Sequence, residues 1–173
     1  SSLINEVTGT VTGTNNVGGL IGVNTGNIEG GRYTVAGEDA GMYINKIYNN
    51  GVINVGTYKD ENGDGKYVFD EQAGSNIGGL IGNNTTENGK TGSLTAGYNT
   101  GAINASGSIN VGGIAGSNAG TIDQVFNTVM TENGQNQTIT GGTNVGGLVG
   151  YNEAHGKITN AYNTSNVVAT NQC

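Results

Sequence analysis

The chain has 173 residues, of which 34 are glycine and none is proline, and its formal net charge is −7. Only six residues are Lys or Arg, so a nucleic-acid-binding surface, which needs clustered cations, is not expected. No apolar run approaches the roughly 20 residues of a membrane span, so membrane insertion is not expected either. The length is that of one domain covering residues 1–173.

The two ends of the sequence suggest a piece of a longer protein. No signal peptide is visible, and Ser1 and Ser2 are expected to mark an internal start. The single cysteine, Cys173, has no partner for an internal disulfide. We expect it to be a truncation point or an incidental thiol.

One nine-residue pattern recurs four times along the chain. It reads Asn, aliphatic, Gly-Gly, aliphatic, small or aliphatic, Gly, any residue, Asn, and it occupies residues 16–24, 76–84, 110–118 and 144–152. The last two intervals are those of a 34-residue period, which helical tetratricopeptide arrays share. Gly, Asn and Thr are poor helix formers, however, and no 3.6-residue apolar stripe is present. The repeat therefore predicts strands.

Each repeat also contains two further short apolar segments. We call the three apolar segments of a repeat its stations, and the nine-residue pattern contains the first. The second is Gly-x-aliphatic followed four residues later by an aromatic residue and Asn, as in residues 120–127. The third is a short aliphatic station, as in residues 101–103. Residues 9–11 look like the third station of a preceding repeat.

About three short strands per repeat, bounded by Gly, Asn and Thr, favour a coil that stacks on its neighbours. The predicted fold is all-β: a right-handed parallel β-helix (β-solenoid) of about four to five coils with two inserted loops. Equivalent residues then form ladders, and glycines at corners are expected to supply unusual backbone angles. The expected inward ladders are Leu20, Leu80, Ile114 and Leu148, and Ile28, Leu94, Ile122 and Ile158. The expected corner ladder, with amides bonded along it, is Asn24, Asn84, Asn118 and Asn152.

The Gly-Gly-Leu-Ile-Gly core, with Gly-x-Ile and Tyr-Asn downstream, resembles the GLUG motif. That repeat occurs in large bacterial surface and secreted proteins, including IgA peptidases and filamentous-haemagglutinin-like adhesins. The resemblance covers roughly residues 7–168, apart from two inserts near 29–43 and 56–75. It implies an extracellular or cell-surface location, a β-solenoid stalk or adhesive shaft, and no catalytic residues within the repeat.

The second insert contains an acidic stretch at residues 59–71 that matches an EF-hand calcium loop. Numbered from residue 60, acids or amides fall at positions 1, 3 and 5, a glycine at position 6 and a glutamate at position 12. These residues are Asp60, Asn62, Asp64, Gly65 and Glu71.

Alternate side chains of a tight turn converge on one point, and the Lys66 carbonyl can add an oxygen. The sequence therefore predicts a Ca²⁺ site formed by Asp60, Asn62, Asp64, Lys66 and Glu71. The flanks do not read as helices, so we expect an isolated loop between strands. A solvated acidic loop and a site for another hard cation are the alternatives.

No catalytic set is recognisable, so an enzyme is not expected. His155 lies in a turn and reads as an exposed loop residue. The leading hypothesis is a structural or adhesive segment of a bacterial surface or secreted protein, with a glycan or protein ligand. The alternatives are a spacer stalk of a surface protease and a carbohydrate-active β-helix enzyme. Because the ends of a solenoid are open sheet edges, end-to-end self-association is a further expectation.

Overall fold

The computed structural model describes residues 2–6, 8–33, 42–128 and 137–171. Cys173, for which the sequence suggests a truncation point, lies outside the described residues. Within them, every helix or strand element is a β-strand. No helix among them is long and apolar enough to cross a membrane.

The strands follow one another in a half-coil and four complete coils. The half-coil contains β1 (Leu3–Asn5) and β2 (Thr10–Gly13). Coil 1 contains β3 (Asn15–Gly18), β4 (Ile21–Asn24), β5 (Asn27–Glu29), β6 (Gly31–Tyr33), β7 (Met42–Asn45), β8 (Ile47–Asn49) and β9 (Val52–Lys59). It is followed by β10 (Val68–Glu71), which folds back on β9.

The later coils repeat this plan. Coil 2 contains β11 (Ser75–Gly78), β12 (Ile81–Asn84), β13 (Thr86–Glu87), β14 (Lys90–Thr91), β15 (Ser93–Asn99) and β16 (Ile103–Asn104). Coil 3 contains β17 (Ile109–Gly112), β18 (Ala115–Asn118), β19 (Thr121–Asn127) and β20 (Thr138–Gly141). Coil 4 contains β21 (Thr143–Gly146), β22 (Val149–Asn152), β23 (Lys157–Thr159), β24 (Tyr162–Asn163) and β25 (Asn166–Ala169).

Each complete coil has four sides, and each side pairs in parallel with its counterpart in the next coil. Face 1 consists of β3, β11, β17 and β21; face 2 of β4, β12, β18 and β22. Face 3 consists of β1, β5, β8, β15, β19, β23 and β24; face 4 of β2, β9, β16, β20 and β25. The predicted β-solenoid is confirmed. The coil has four strands rather than three because the chain bends between β3 and β4, at the Gly-Gly of the repeat.

The stations align as the sequence predicts. Val11 of the half-coil is the register partner of Ile53, which confirms that residues 9–11 belong to a preceding repeat. Ile122 is likewise the partner of both Leu94 and Ile158. Identical stations therefore lie one strand spacing apart, roughly 4.8 Å.

The core consists of two apolar columns. The column between faces 2 and 3 contains both predicted aliphatic ladders apart from Ile158, which is only half-buried. Leu80, Leu94, Ile114 and Ile122 are fully buried, and Leu20 and Leu148 are partly buried at the two ends. The second column lies between faces 1 and 4. Its members are Val17, Ile53, Val55, Ile77, Ile103, Ala105, Val111 and Ile139.

Asparagine ladders run along the solenoid between coils. The predicted ladder of Asn24, Asn84, Asn118 and Asn152 is confirmed: each Nδ2 donates to the next Oδ1, at 2.9, 2.7 and 2.8 Å. A second ladder was not predicted, and its four bonds measure 2.7, 2.7, 2.7 and 2.6 Å. It consists of Asn5, Asn49, Asn99, Asn127 and Asn163.

Asn99, in the middle of the second ladder, uses its whole hydrogen-bonding capacity. Its Nδ2 donates to Asn127 Oδ1 at 2.7 Å and to the Gly101 carbonyl at 3.0 Å. Its Oδ1 accepts from Asn49 Nδ2 at 2.7 Å and from the Gly101 amide at 3.2 Å. Two donors and two acceptors are all that an Asn side chain has, so this fully buried amide leaves no polar group unpaired.

The repeat glycines are required for close approach rather than for backbone angles, which corrects the sequence expectation. A Cβ on Gly79 would collide with the Asn99 amide and the Gly113 carbonyl of the next coil. Gly113 stands in the same relation to Asn127. Neither glycine has a left-handed backbone. Each buried Asn of the second ladder therefore needs a glycine beside it.

One left-handed position of the repeat is its first asparagine, and a second lies on face 3 at the equivalent residues Ala96, Gln124 and Asn160. Asn16, Asn76, Asn110 and Asn144 have φ of 51, 57, 56 and 53°. Asparagine tolerates this conformation better than most residues do. Their side chains form a third amide ladder near the surface, with bonds of 3.0, 2.9 and 3.0 Å.

An aromatic stack follows the outer side of face 3. The rings of Tyr48, Tyr98, Phe126 and Tyr162 are nearly parallel, with centroids 5.0, 4.9 and 5.4 Å apart. At one end the Tyr48 hydroxyl donates to the Glu6 carboxylate at 2.6 Å. That hydrogen bond raises the pKa of Tyr48 to about 12. Stacking at the strand spacing covers the faces of the inner rings.

Replacing Asn99 with Ala should destabilise the fold by about 2–4 kcal/mol, because buried partners in two neighbouring coils and at Gly101 lose their bonds. The measurement is the free energy of unfolding from denaturant titration. The matched control is Asn104→Ala, which removes a comparable amide bond to Asn54, of 2.8 Å, at an exposed position. A cost below about 0.5 kcal/mol is expected there. Equal costs for the two variants would contradict the buried-ladder account.

An aspartate at Leu80 should prevent folding, because it places an unpaired charge in the centre of the column between faces 2 and 3. The same change at Leu148 should be milder, since this residue is only partly buried in coil 4 and an end coil can fray alone. Ile109→Asp, at a residue 46% exposed, is the control. Thermal melts followed by circular dichroism give the ranking, and a Leu80 variant as stable as the Ile109 variant would refute it.

Candidate functional site

The predicted calcium stretch forms the end of an antiparallel hairpin that leaves face 4. Strands β9 and β10 pair from Gly56 opposite Glu71 to Lys59 opposite Val68. The rings of Tyr58 and Phe69 pack edge to face across the hairpin, with centroids 5.5 Å apart. Residues 60–67 therefore project from the solenoid as a loop between two paired strands.

The first half of the loop is held by its own carboxylates. Asp60 accepts from the backbone amides of Asp64 and Gly65, at 3.2 and 2.9 Å. Asp64 accepts from the amide of Lys66 at 2.9 Å. Gly65 has φ of 79°, the left-handed bend that the sequence predicts at this position. The turn that would surround an ion is thus formed by the chain itself.

Glu71 is not brought to this turn. It lies in β10 opposite Gly56, three residue pairs from the Lys59–Val68 pair that closes the hairpin. At about 3.3 Å per residue, this is roughly 10 Å along the strand. Glu71 instead lines a groove with Phe69, Asn54 and Asn104. The structure brings together the loop residues that begin the predicted set but not the glutamate that ends it.

An ion pair joins β10 to β9. Lys59 Nζ contacts the Asp70 carboxylate from the neighbouring strand. The hydrogen bond from Lys59, and then the one from Gln72, lower the pKa of Asp70, and the same carboxylate raises the pKa of Lys59. Both side chains are substantially exposed, so the pair contributes little to stability.

The oxygens of the loop suit a hard cation, but a lysine ammonium group competes for one of the carboxylates. A carboxylate has about four acceptor sites, so Asp60 retains capacity beyond its two backbone donors. Lys66 Nζ lies 3.5 Å from an Asp64 oxygen and would have to move for an ion to bind there. Asn62 is exposed on the same loop. In the described part of the chain, no three His, Cys, Asp or Glu side chains already converge on a point that could hold a metal.

A second concavity lies beside the aromatic stack on face 3. It has a volume of about 480 Å³ and is lined by Lys46, Gln124 and the edges of Tyr48, Tyr98 and Phe126, among others. Beside it the backbone is left-handed at two residues that seldom adopt this conformation, Ala96 at 58° and Gln124 at 52°. Neither residue is recognisable as left-handed from its type, because nothing in the Ala or Gln side chain marks a left-handed position.

Comparison with known proteins identifies one repeat. The model of the family described as the GLUG motif matches residues 141–168, which run from the end of face 4 in coil 3 to face 4 in coil 4. No curated protein and no solved structure matches the chain. The GLUG motif is typical of bacterial surface and secreted proteins. Coil 3 pairs in register with the matched coil, and coils 2 and 1 continue the same stack. The chain is therefore a β-solenoid segment that carries a GLUG motif.

Proposed function

We propose that this chain is a structural and adhesive β-solenoid segment of a bacterial cell-surface or secreted protein, stabilised by calcium at one loop. The observation that carries the proposal is the stacking of coils through saturated, buried Asn ladders. In such a stack each coil depends only on its neighbours, and the product is a rod with long lateral faces. Rods of this kind suit a protein that displays a surface away from the cell.

The adhesive part of the proposal is supported by the variation in the outer surface over a constant interior. The buried Asn ladders have the same residue in every coil, whereas one register position of face 2 carries exposed Val23 in coil 1 and exposed Tyr151 in coil 4, with half-buried Asn83 and buried Ser117 between them. Loops and outward side chains on a rigid scaffold are where binding residues usually lie. We expect no catalytic activity, and the ligand class to be a glycan or a protein.

Adhesion is tested with beads coated with the folded chain and applied to mucin-coated and fibronectin-coated surfaces. We expect retention under flow well above that of beads coated with the Leu80→Asp variant. Retention no greater than that control on either surface would favour a spacer stalk. Release of reducing sugar from polysaccharides would instead favour a carbohydrate-active enzyme.

Calcium is proposed to bind at the hairpin loop. Asp60, Asn62, Asp64 and the Lys66 carbonyl are the proposed ligands on the loop itself, and Glu71 completes the set when the β10 end of the hairpin opens. The support is the self-formed turn at Asp60 and Gly65 together with the all-oxygen donor set, which calcium prefers. Because opening the hairpin opposes binding, we place the affinity at the weak end for such loops, at ~10⁻⁴–10⁻³ M.

Calcium at about 10–100 times its Kd should stabilise the fold by on the order of 1–3 kcal/mol, because it binds the folded loop. At roughly 2–4 °C per kcal/mol for a chain of this length, the melting temperature should rise by several degrees. Chelation should lower it without unfolding the solenoid, since the coils on either side have their own ladders. Calorimetric titration and melting with and without chelator provide the measurement.

Variants separate the roles of the ligands. Asp64→Asn should remove the calcium-dependent shift, and Glu71→Gln should weaken binding at least tenfold if Glu71 closes the site. Glu29→Gln, at an exposed position in coil 1, is the control and should bind normally. An absence of both heat and melting shift at ~10 mM calcium would leave a solvated acidic loop.

A further inference from the structure

The corner between faces 2 and 3 differs in length from coil to coil. After the ladder asparagine, coil 1 has the single residue Thr25 before the next glycine, and coil 3 has the single residue Ala119. Coil 2 has residues 85–91 at the same corner, and coil 4 has residues 153–155. The short corner of coil 3 is therefore a notch between two protruding loops. The coils that carry those loops are two strand spacings apart, roughly 10 Å.

The loop of coil 2 is a hairpin that the sequence analysis did not predict. Asn88 and Gly89 have φ of 51 and 74°, the left-handed pair of a tight Asn-Gly turn. The turn joins β13 to β14, and the hydroxyls of Thr86 and Thr91 lie 3.0 Å apart across it. This side of the notch is therefore a wall with two hydroxyls.

The loop of coil 4 provides the opposite wall and the charges. The Glu153 carboxylate accepts from the buried Ser117 hydroxyl at 3.2 Å, which leaves its other oxygen without a protein donor among the described contacts. The Gly156 amide donates to the Glu153 carbonyl at 2.9 Å and closes the turn that carries exposed His155. Lys157 follows directly. Carboxylate, imidazole and ammonium groups thus line one side of the notch.

The notch has the size of a ligand site. Its volume is about 740 Å³, within the ≈ 300–1,000 Å³ of typical small-molecule sites. The floor is small and uncharged: Ala119, Gly120 and Thr121, with Ala154 at one side. Donors and acceptors therefore surround a floor on which a flat, partly apolar ligand can lie.

Backbone pairing excludes an added β-strand as the occupant. The amide of Ala119 donates to Asn84, that of Thr121 to Gly92 and that of Lys157 to Gly120. These amides belong to coil-to-coil pairing, so they are not free to bind an added strand, which binds through main-chain hydrogen bonds. An anionic ligand would be repelled by the Glu153 carboxylate in a chain whose net charge is −7. A cationic ligand would be repelled by the Lys157 ammonium group.

We propose that this notch binds a neutral saccharide. Saccharide hydroxyls both donate and accept hydrogen bonds, which suits a site that mixes the Glu153 acceptor, the Lys157 donor and the threonine hydroxyls. The C–H face of a sugar ring can pack on Ala119 and Gly120. The inference rests on the adhesive function proposed above, and it names the class of ligand and the place where it binds.

The test is titration of the ¹⁵N-labelled chain with five neutral oligosaccharides at 10 mM: maltotetraose, cellotetraose, mannotetraose, tetra-N-acetylchitotetraose and lacto-N-tetraose. At least one should cause saturable shifts in the amides of residues 119–121 and 153–157. Glu153→Gln should weaken that binding about tenfold or more, and Glu29→Gln should leave it unchanged. No shift with any of the five sugars would overturn the proposal, as would stronger binding of anionic sialyllactose.

A deletion separates the notch from the fold. Removing residues 86–91 leaves Asn84-Thr85-Gly92, the same corner sequence as residues 24–26 of coil 1. The variant should keep its melting temperature and lose sugar binding by at least tenfold. Unchanged sugar binding in a folded deletion variant would overturn the notch. If bead adhesion persists without sugar binding, the notch proposal fails while the adhesive function stands.

Discussion

The structure depends on a buried amide that is bonded along the solenoid axis and must have a glycine beside it. Asn99 makes four hydrogen bonds while fully buried, and an unpaired polar group there would cost about 1–3 kcal/mol. The amide reaches its neighbours only if the facing backbone comes close. A side chain on Gly79 would collide with that amide and with the next coil. Asn and Gly are therefore two parts of one packing requirement.

This requirement explains why a chain with 34% hydrophobic residues can form a stable core. The apolar residues are confined to two narrow columns, and amide ladders occupy part of the remaining interior. Each ladder is satisfied only when the neighbouring coil is in register, since a shift of one residue would unpair every Asn in it. Polar ladders thus specify the stacking register as well as contributing to stability.

Much of the fold could be predicted from sequence, because parallel in-register stacking places the same residue type at each equivalent position. The aliphatic ladders and the Asn24–Asn84–Asn118–Asn152 ladder follow from the repeat alone. The division of the coil into four sides could not be predicted from the repeat. A glycine in a sequence does not show whether it is needed for its backbone angles or for a close contact. The left-handed conformation of Asn16 could not be predicted either, because Asn16 and Asn24 carry the same side chain in different backbone conformations.

The acidic loop could be predicted from the sequence only in part. The residue spacing predicted a tight turn at Asp60, Gly65 and Lys66, and the structure contains it. Spacing is sufficient here because the conformation of a short loop depends on local hydrogen bonds. The residue spacing did not predict the position of Glu71, because that position depends on how β10 pairs with β9. The Lys59–Asp70 ion pair and the Tyr58–Phe69 contact form across that register, and the loop pattern does not encode it.

The most direct test of the account is hydrogen exchange of asparagine side-chain amides, followed by NMR on the folded chain. The Nδ2 protons of Asn49, Asn99 and Asn127 should exchange as slowly as the backbone amides of the buried core strands, because their ladder opens only when coils separate. The exposed Asn104 side chain provides the internal reference for fast exchange. Exchange of the Asn99 amide at the rate of Asn104 would show that the buried ladder does not hold the coils together.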